Sequence, residues 1–187
     1  KQTHLSTSGW TMFTTSKKEI SELLVDQGDC TIDTDRIHIN NYPFIPSIAY
    51  RQKIIVADNI ISIDITAAPP TIRVGGELIF IPAKWKEQLN KFASSNNIPV
   101  IERTDIWDWL LEPFLDTEYT EETHQRLNKL LVAYGLTENK VAEIREEVRI
   151  QMLKYNFDTI LWEWVHLGAL DVLCAMRTKY NTEQFAN

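Results

Sequence analysis

The pattern of hydrophobic and polar residues changes near residue 104. Between Cys30 and Ile81, apolar residues occur in short alternating runs that are rich in Ile, Val and Thr and are bounded by turn residues. Such runs predict five or six short β-strands at the spacing of a meander. The polar turn before Arg36, the Asp58-Asn59 pair and the Gly75-Gly76 pair each predict a connection between adjacent strands.

Two helices are predicted to flank these strands. Ser16 and Glu19 have the spacing of a capping box, which predicts an N-terminal helix that stops at Gly28. Pro82 suits the first turn of a covering helix that continues to about Asn97, and residues 98–101 then predict one more strand, at a sheet edge.

After Thr104 the apolar period becomes 3.6 residues, which predicts helices. Thr104, Thr120 and Thr137 each precede a helical pattern as N-caps, and a fourth helix is predicted from Phe157 or Asp158 to about Lys179. We therefore expect an α+β fold: an N-terminal helix, a mostly antiparallel β-meander with one covering helix, and a C-terminal bundle of about four helices. Residues 1–103 form the β-rich half and 104–187 the helical half. No linker separates them, so we expect one integrated unit.

Composition narrows the class of protein. With 187 residues, of which 44% are hydrophobic and 24% charged, the chain is neither disordered nor fibrous. Its net charge of −7 has the wrong sign for binding phosphate backbones, so we expect no nucleic acid partner. No apolar stretch is long enough to span a bilayer and no signal peptide is evident, so a cytoplasmic protein with no membrane contact is expected. Cys30 and Cys174 are expected to be free, buried thiols.

The negative charge is local. Residues 1–103 contain eleven basic and eleven acidic side chains, whereas residues 104–187 contain eight and fifteen. Residues 105–122, which we call the acidic-aromatic segment, hold seven acids, no Lys or Arg, and the aromatic residues Trp107, Trp109, Phe114 and Tyr119. Repulsion among these acids must be offset by helix N-termini, by basic residues such as Arg73 or Arg103, by a cation, or by a basic partner.

Two interpretations of the acidic-aromatic segment follow. In one, the aromatic side is buried and the acids form a solvated face. In the other, the segment docks a basic protein, as in small acidic proteins of the bacterial immunity or inhibitor type, which act without catalysis. The second hypothesis assigns partner binding to seven residues: Asp105, Trp107, Asp108, Trp109, Glu112, Asp116 and Glu118.

A metal-dependent hydrolase or oxidase is the alternative function. Glu121–His124 and Glu163–His166 have the Glu-x-x-His spacing by which helices supply ligands to metal centres. Glu163 and His166 are the candidate ligands for a divalent metal. A solvated polar stripe with acids at a helix start accounts for the same residues, and it is the favoured interpretation. The sequence contains no nucleophile elbow, phosphate-binding loop or activated cysteine, so no catalytic residue is assigned.

Overall fold

The computed structural model describes residues 18, 23, 25–115, 120–158 and 166–177. Over these residues the chain has the predicted α+β fold, with strands in the first half and mainly helices in the second. The predicted N-terminal helix lies largely outside the described residues. The elements below are numbered in chain order within the described part.

The strands form two separate three-stranded antiparallel sheets. Sheet A has the order β1-β2-β3 and sheet B the order β4-β5-β6, and a short helix, α1, precedes β3. Their bounds are β1 Asp29–Ile32, β2 Arg36–Asn40, α1 Ile48–Gln52, β3 Ile54–Val56, β4 Ile60–Asp64, β5 Thr71–Val74 and β6 Glu77–Phe80.

The predicted antiparallel strands are confirmed, and the meander is divided between these two sheets. The Asp58-Asn59 pair was expected to join neighbouring strands, but the 3-10 turn Ala57–Asn59 leads the chain from β3 in sheet A to β4 in sheet B. Helix α1 was not predicted, because its five residues are too few to show a helical period. Ser47 caps it by accepting a hydrogen bond from the amide of Ala49 at 3.1 Å.

The hairpins on either side of this turn were predicted correctly. β1 pairs with β2, and β5 pairs with β6 around Gly75, whose φ of +60° suits glycine. Residues 98–101, predicted as an edge strand, form no strand; they contribute one isolated parallel bridge, between Val100 and Ile63 of β4.

Five further helices follow the sheets. A 3-10 turn over Ala83–Trp85 leads into α2, as Pro82 predicted. Thr120 and Thr137 cap α4 and α5 through amides at 3.2 and 3.3 Å, also as predicted. The bounds are α2 Lys86–Ser95, α3 Ile106–Leu111, α4 Glu121–Ala133, α5 Glu138–Leu153 and α6 Ala169–Arg177.

Two predicted helix starts require correction. Asp105, not Thr104, caps α3. The last helix does not run unbroken from residue 157 or 158: α5 continues into a π-helical turn over Lys154–Asp158, residues 166–168 are not helical, and α6 begins at Ala169. Among the described residues, no helix is both long enough and apolar enough to cross a membrane.

The main hydrophobic core contains residues from both halves of the chain. Ile63, Ile72 and Ile79 are in register across sheet B and are fully buried, and Met152 of α5 and Ala175 of α6 belong to the same cluster. A second, smaller cluster of Leu110, Leu131 and Val141 joins α3, α4 and α5. The acidic-aromatic segment thus begins on a helix that lies between the two clusters.

A buried polar network fixes the chain that leads into α3. Asp64, only 1% exposed, accepts hydrogen bonds from the amides of Thr66 and Ala67, from the Thr66 hydroxyl, and from the Arg103 amide at 2.7 Å. The Arg103 guanidinium donates to Ser62 and Thr71. Burial acts to raise the pKa of Asp64, but these hydrogen bonds outweigh it and hold that pKa below its ordinary value.

We predict that Asp64→Asn lowers the free energy of unfolding by about 2 kcal/mol at neutral pH, because an amide cannot accept the same four hydrogen bonds. Since the folded pKa of Asp64 is lowered, its carboxylate contributes fully above the unfolded value near 3.8 and loses its contribution as the pH falls through the folded value. Urea unfolding measured from pH 7 down to pH 3 should show that the free energies of unfolding of wild type and Asp64→Asn become more alike as the pH falls. A difference independent of pH would contradict this account.

Candidate functional site

One carboxylate joins the starts of two helices. Oδ1 of Asp105 accepts a hydrogen bond from the amide of Trp107 at 3.0 Å, which caps α3. Its Oδ2 accepts from the amide of Ala169 at 2.9 Å, in the first turn of α6. Helix N-termini carry partial positive charge, so Asp105 lies where a carboxylate is most stabilised. This predicted partner-binding residue therefore already has a structural role.

Gly168 makes this close approach possible. A Cβ at position 168 would lie 2.6 Å from Oδ2 of Asp105, well inside van der Waals contact. The Gly168 amide donates to Oδ2 of Asp171 at 2.7 Å, and the Gly168 carbonyl accepts from the Val172 amide. The Asp171 side chain thus bonds back to the Gly168 amide, as the acid of a capping box does, and α6 begins at Ala169.

Asp171 is a half-buried acid that was not among the predicted site residues. Burial raises its pKa, and the nearby charge of Asp105 adds to that effect. Oδ1 of Asp171 accepts a hydrogen bond from the Tyr155 hydroxyl at 2.9 Å, and burial likewise raises the pKa of Tyr155. The capping-box spacing of Gly168 and Asp171 was the available signal, but the prediction of an uninterrupted helix concealed it.

Asp108 lies on the exposed side of α3. Its Oδ1 is 3.2 Å from Nδ1 of His166, and the two side chains are 39% and 82% exposed. A pair this exposed contributes little to stability. Asp108 and His166, predicted as parts of two different sites, therefore lie in contact.

Trp107 and Trp109 are both half-buried. Trp107 packs against the main core and the smaller cluster, whereas Trp109 packs against the smaller cluster alone. The ring of Trp109 also meets Tyr134 edge to face, with centroids 5.4 Å apart. Part of each indole surface remains accessible beside the acids.

The basic residues expected to offset the acids do not contact them. Arg103 hydrogen-bonds within sheet B, and Arg73 donates to the carbonyl of Gly75. Arg145 of α5 instead donates to the carbonyls of Trp109 and Leu110 at 3.2 and 3.0 Å, near the C-terminal end of α3. That position favours a cation because helix C-termini carry partial negative charge.

Of the three remaining predicted partner-binding residues, the structure describes one. Glu112 is half-buried in the 3-10 turn Glu112–Phe114, whose Phe114 carbonyl accepts a hydrogen bond from the buried amide of Asn156. Asp116 and Glu118 lie outside the described residues. The structure thus brings Asp105, Trp107, Asp108, Trp109 and Glu112 together on one short helix and the turn that follows it.

The metal hypothesis stays a prediction. Glu163 lies outside the described residues, and His166 is not helical, so the helical spacing that motivated the pair does not apply at His166. His124 and Glu121 do lie on one helix, with Nδ1 and Oε1 3.9 Å apart. Over the residues that the structure describes, no group of three or more His, Cys, Asp or Glu side chains could hold a metal ion.

Both cysteines are buried and free, as predicted. Burial, reinforced by Asp29 at one site and by Asp171 at the other, raises the pKa of Cys30 and of Cys174 to about 12. Each therefore stays a neutral thiol at physiological pH, a form that is a poor nucleophile and a poor metal ligand.

Comparison with known proteins gives no relationship from which a role could be transferred. No protein-family model matches the chain, and no curated protein and no solved structure matches it. Any functional proposal must therefore come from the geometry above.

We predict that Asp105→Ala lowers the free energy of unfolding by about 2 kcal/mol, since one carboxylate satisfies amides at two helix starts. Gly168→Ala should also destabilise, because its Cβ would displace that carboxylate. In a protein that already carries Asp105→Ala, adding Gly168→Ala should lower the free energy of unfolding clearly less than it does in wild type, because the displaced carboxylate is no longer present.

Asp108→Ala is the matched control for this double-mutant cycle. It removes an acid from the same helix at an exposed pair and should cost less than about 1 kcal/mol. Urea denaturation of wild type, the two single variants, the double variant and the control gives the free energy of unfolding of each protein. Additive effects of Asp105→Ala and Gly168→Ala would show that the two positions are not coupled.

Proposed function

We propose that the protein is a non-enzymatic binding or regulatory protein that docks a basic protein partner through the acidic-aromatic segment. One observation carries the proposal. Within the described part of the chain, no Lys or Arg side chain lies within ion-pair distance of Asp105, Asp108 or Glu112. Asp105 is stabilised by two helix N-termini, and the charge of Asp108 and Glu112 is proposed to remain available to a partner.

The neighbouring tryptophans suit this role. An interface gains most of its affinity from a few aromatic or arginine anchors, and unpaired charge around them steers an oppositely charged partner. Trp107 and Trp109 are held by core contacts yet keep part of their surface exposed. A rigid, partly exposed indole loses little conformational entropy when a partner covers it.

The acids of the segment do not contribute equally to the proposed interface. Asp105 is committed to two helix amides, so its oxygens already have partners. Asp108 and Glu112, together with Asp116 and Glu118 in the sequence, are the charges proposed to meet the partner. Such a protein would act in the manner of the small acidic immunity and inhibitor proteins of bacteria, and we propose the cytoplasm as its location.

Capture experiments with a triple variant test the proposal. Immobilised wild type should retain a basic protein from a cell extract. Retention should fall steeply as the salt concentration rises from about 50 to about 300 mM, because salt screens the attraction between opposite charges. Asp108→Asn, Asp116→Asn and Glu118→Gln together should abolish retention of that protein. Asp105 is left intact so that loss of binding cannot arise from loss of the helix caps.

Glu143→Gln, Glu146→Gln and Glu147→Gln together form the control. This variant removes the same charge from the polar side of α5, where two of the acids pair with Lys140 and Arg149. Its retention should resemble that of wild type. Equal loss in both variants would mean that net charge, and not this segment, determines binding, and retention insensitive to salt would also refute the proposal.

A further inference from the structure

The two sheets have four outer edges, and on three of them the structure describes hydrogen bonds to outward-facing main-chain groups. Along β4, the Ile63 amide donates to the Pro99 carbonyl and the Ile63 carbonyl accepts from the Ile101 amide, each at 2.9 Å. Along β6, the Phe80 amide donates to the Tyr42 hydroxyl at 3.1 Å. At β1, the Cys30 amide donates to Oδ1 of Asp29 at 2.8 Å, and Trp85 Nε1 and Lys84 Nζ lie within 2.9 Å of the same oxygen.

The edge of β3 differs from the others. The Lys53 carbonyl accepts from the Ile39 amide, and the Ala57 amide donates to the Asp35 carbonyl, which directs Lys53, Ile55 and Ala57 toward β2. In an antiparallel ladder the alternate residues point the other way. The amide of Val56 and the carbonyl of Ile54 therefore face outward, and no described residue hydrogen-bonds to them.

Apolar side chains are exposed beside this edge. Ile54 is 41% exposed, and Tyr50 of α1, the helix that precedes β3 and contacts it, is 43% exposed. Ile54 and Val56 lie on the face of sheet A opposite to the fully buried Ile55. An unpaired edge with exposed β-branched residues is a template for the addition of another strand.

The charges around β3 indicate which strand would pair with its outer edge. Exposed Arg51 and Lys53 precede it, and exposed Asp58 follows it. Antiparallel pairing of two identical strands places the basic start of each beside the acidic end of the other. β3 is therefore complementary to itself.

We propose that β3 pairs antiparallel with β3 of a second copy of the chain, about a two-fold axis near Ile55. The Val56 amide of each copy donates to the Ile54 carbonyl of the other, and Ile54 of each packs beside Val56 of the other on the exposed face. The two copies of sheet A then form one six-stranded sheet. Because β3 has only three residues, the dimer is weak and depends on concentration.

Val56→Pro tests this pairing directly. The φ of Val56 is −79°, which proline adopts, and the Val56 amide makes no hydrogen bond to any residue that the structure describes, so the subunit should still fold. Sedimentation equilibrium of wild type should give a monomer–dimer equilibrium. Val56→Pro should raise its dissociation constant at least about tenfold, because two hydrogen bonds are lost at the two-fold axis. Val56→Thr, which keeps the shape and the amide, should change it little.

A charge exchange tests the orientation of the strands. Lys53→Glu should weaken the dimer, and adding Asp58→Lys to it should restore association, since the opposite charges meet again. Hydrogen exchange of wild type provides a measurement that needs no variant: the Val56 amide should become protected as the protein concentration rises.

Three results would overturn the proposal. They are a wild-type protein that stays monomeric at every concentration, equal dissociation constants for Val56→Pro and Val56→Thr, and a Val56 amide whose exchange does not change with concentration. Because these residues lie in sheet A, the outcome does not depend on binding by the acidic-aromatic segment.

Discussion

The hydrogen bonds of Asp105 are the constraint on which the geometry of the acidic-aromatic segment depends. One carboxylate satisfies amides at the start of α3 and at the start of α6, although 64 residues separate Asp105 from Ala169. A Cβ at position 168 would lie 2.6 Å from Oδ2 of Asp105, so any residue other than glycine there would have to move that carboxylate. Together with the buried side chains of Leu110 and Leu111, this contact positions α3.

The placement of acids at helix N-termini offsets part of the repulsion between the carboxylates in this region. Asp105 and Asp171 lie at helix N-termini, where aligned peptide dipoles favour negative charge, and Asp171 gains further hydrogen bonds from Tyr155 and Gly168. At the other end of α3, Arg145 is bound to main-chain carbonyls and not to carboxylates. Among the described residues the fold therefore stabilises the position of α3 without pairing Asp105, Asp108 or Glu112 with Lys or Arg, which is the physical basis for proposing a basic partner.

Local sequence signals predicted much of this structure. The caps Thr120 and Thr137, the glycine turn at Gly75 and the alternating strands act over four residues or fewer, so they can be recognised without knowledge of the rest of the chain. Predictions failed where the deciding partner is distant. Thr104 precedes α3 with a suitable hydroxyl, but it accepts a hydrogen bond from Tyr134, and Asp105 takes the cap because it also reaches Ala169.

The sequence by itself therefore determined the α+β class, the neutral β half and the concentration of acids and tryptophans after residue 104, since composition and periodicity are local properties. Only the tertiary structure decided that the strands divide into two sheets, that Asp108 meets His166 while Asp105 is occupied by two helices, and that no described residue hydrogen-bonds to the outer edge of β3. Each of these depends on which distant main-chain groups find hydrogen-bond partners, and no spacing along the chain contains that information.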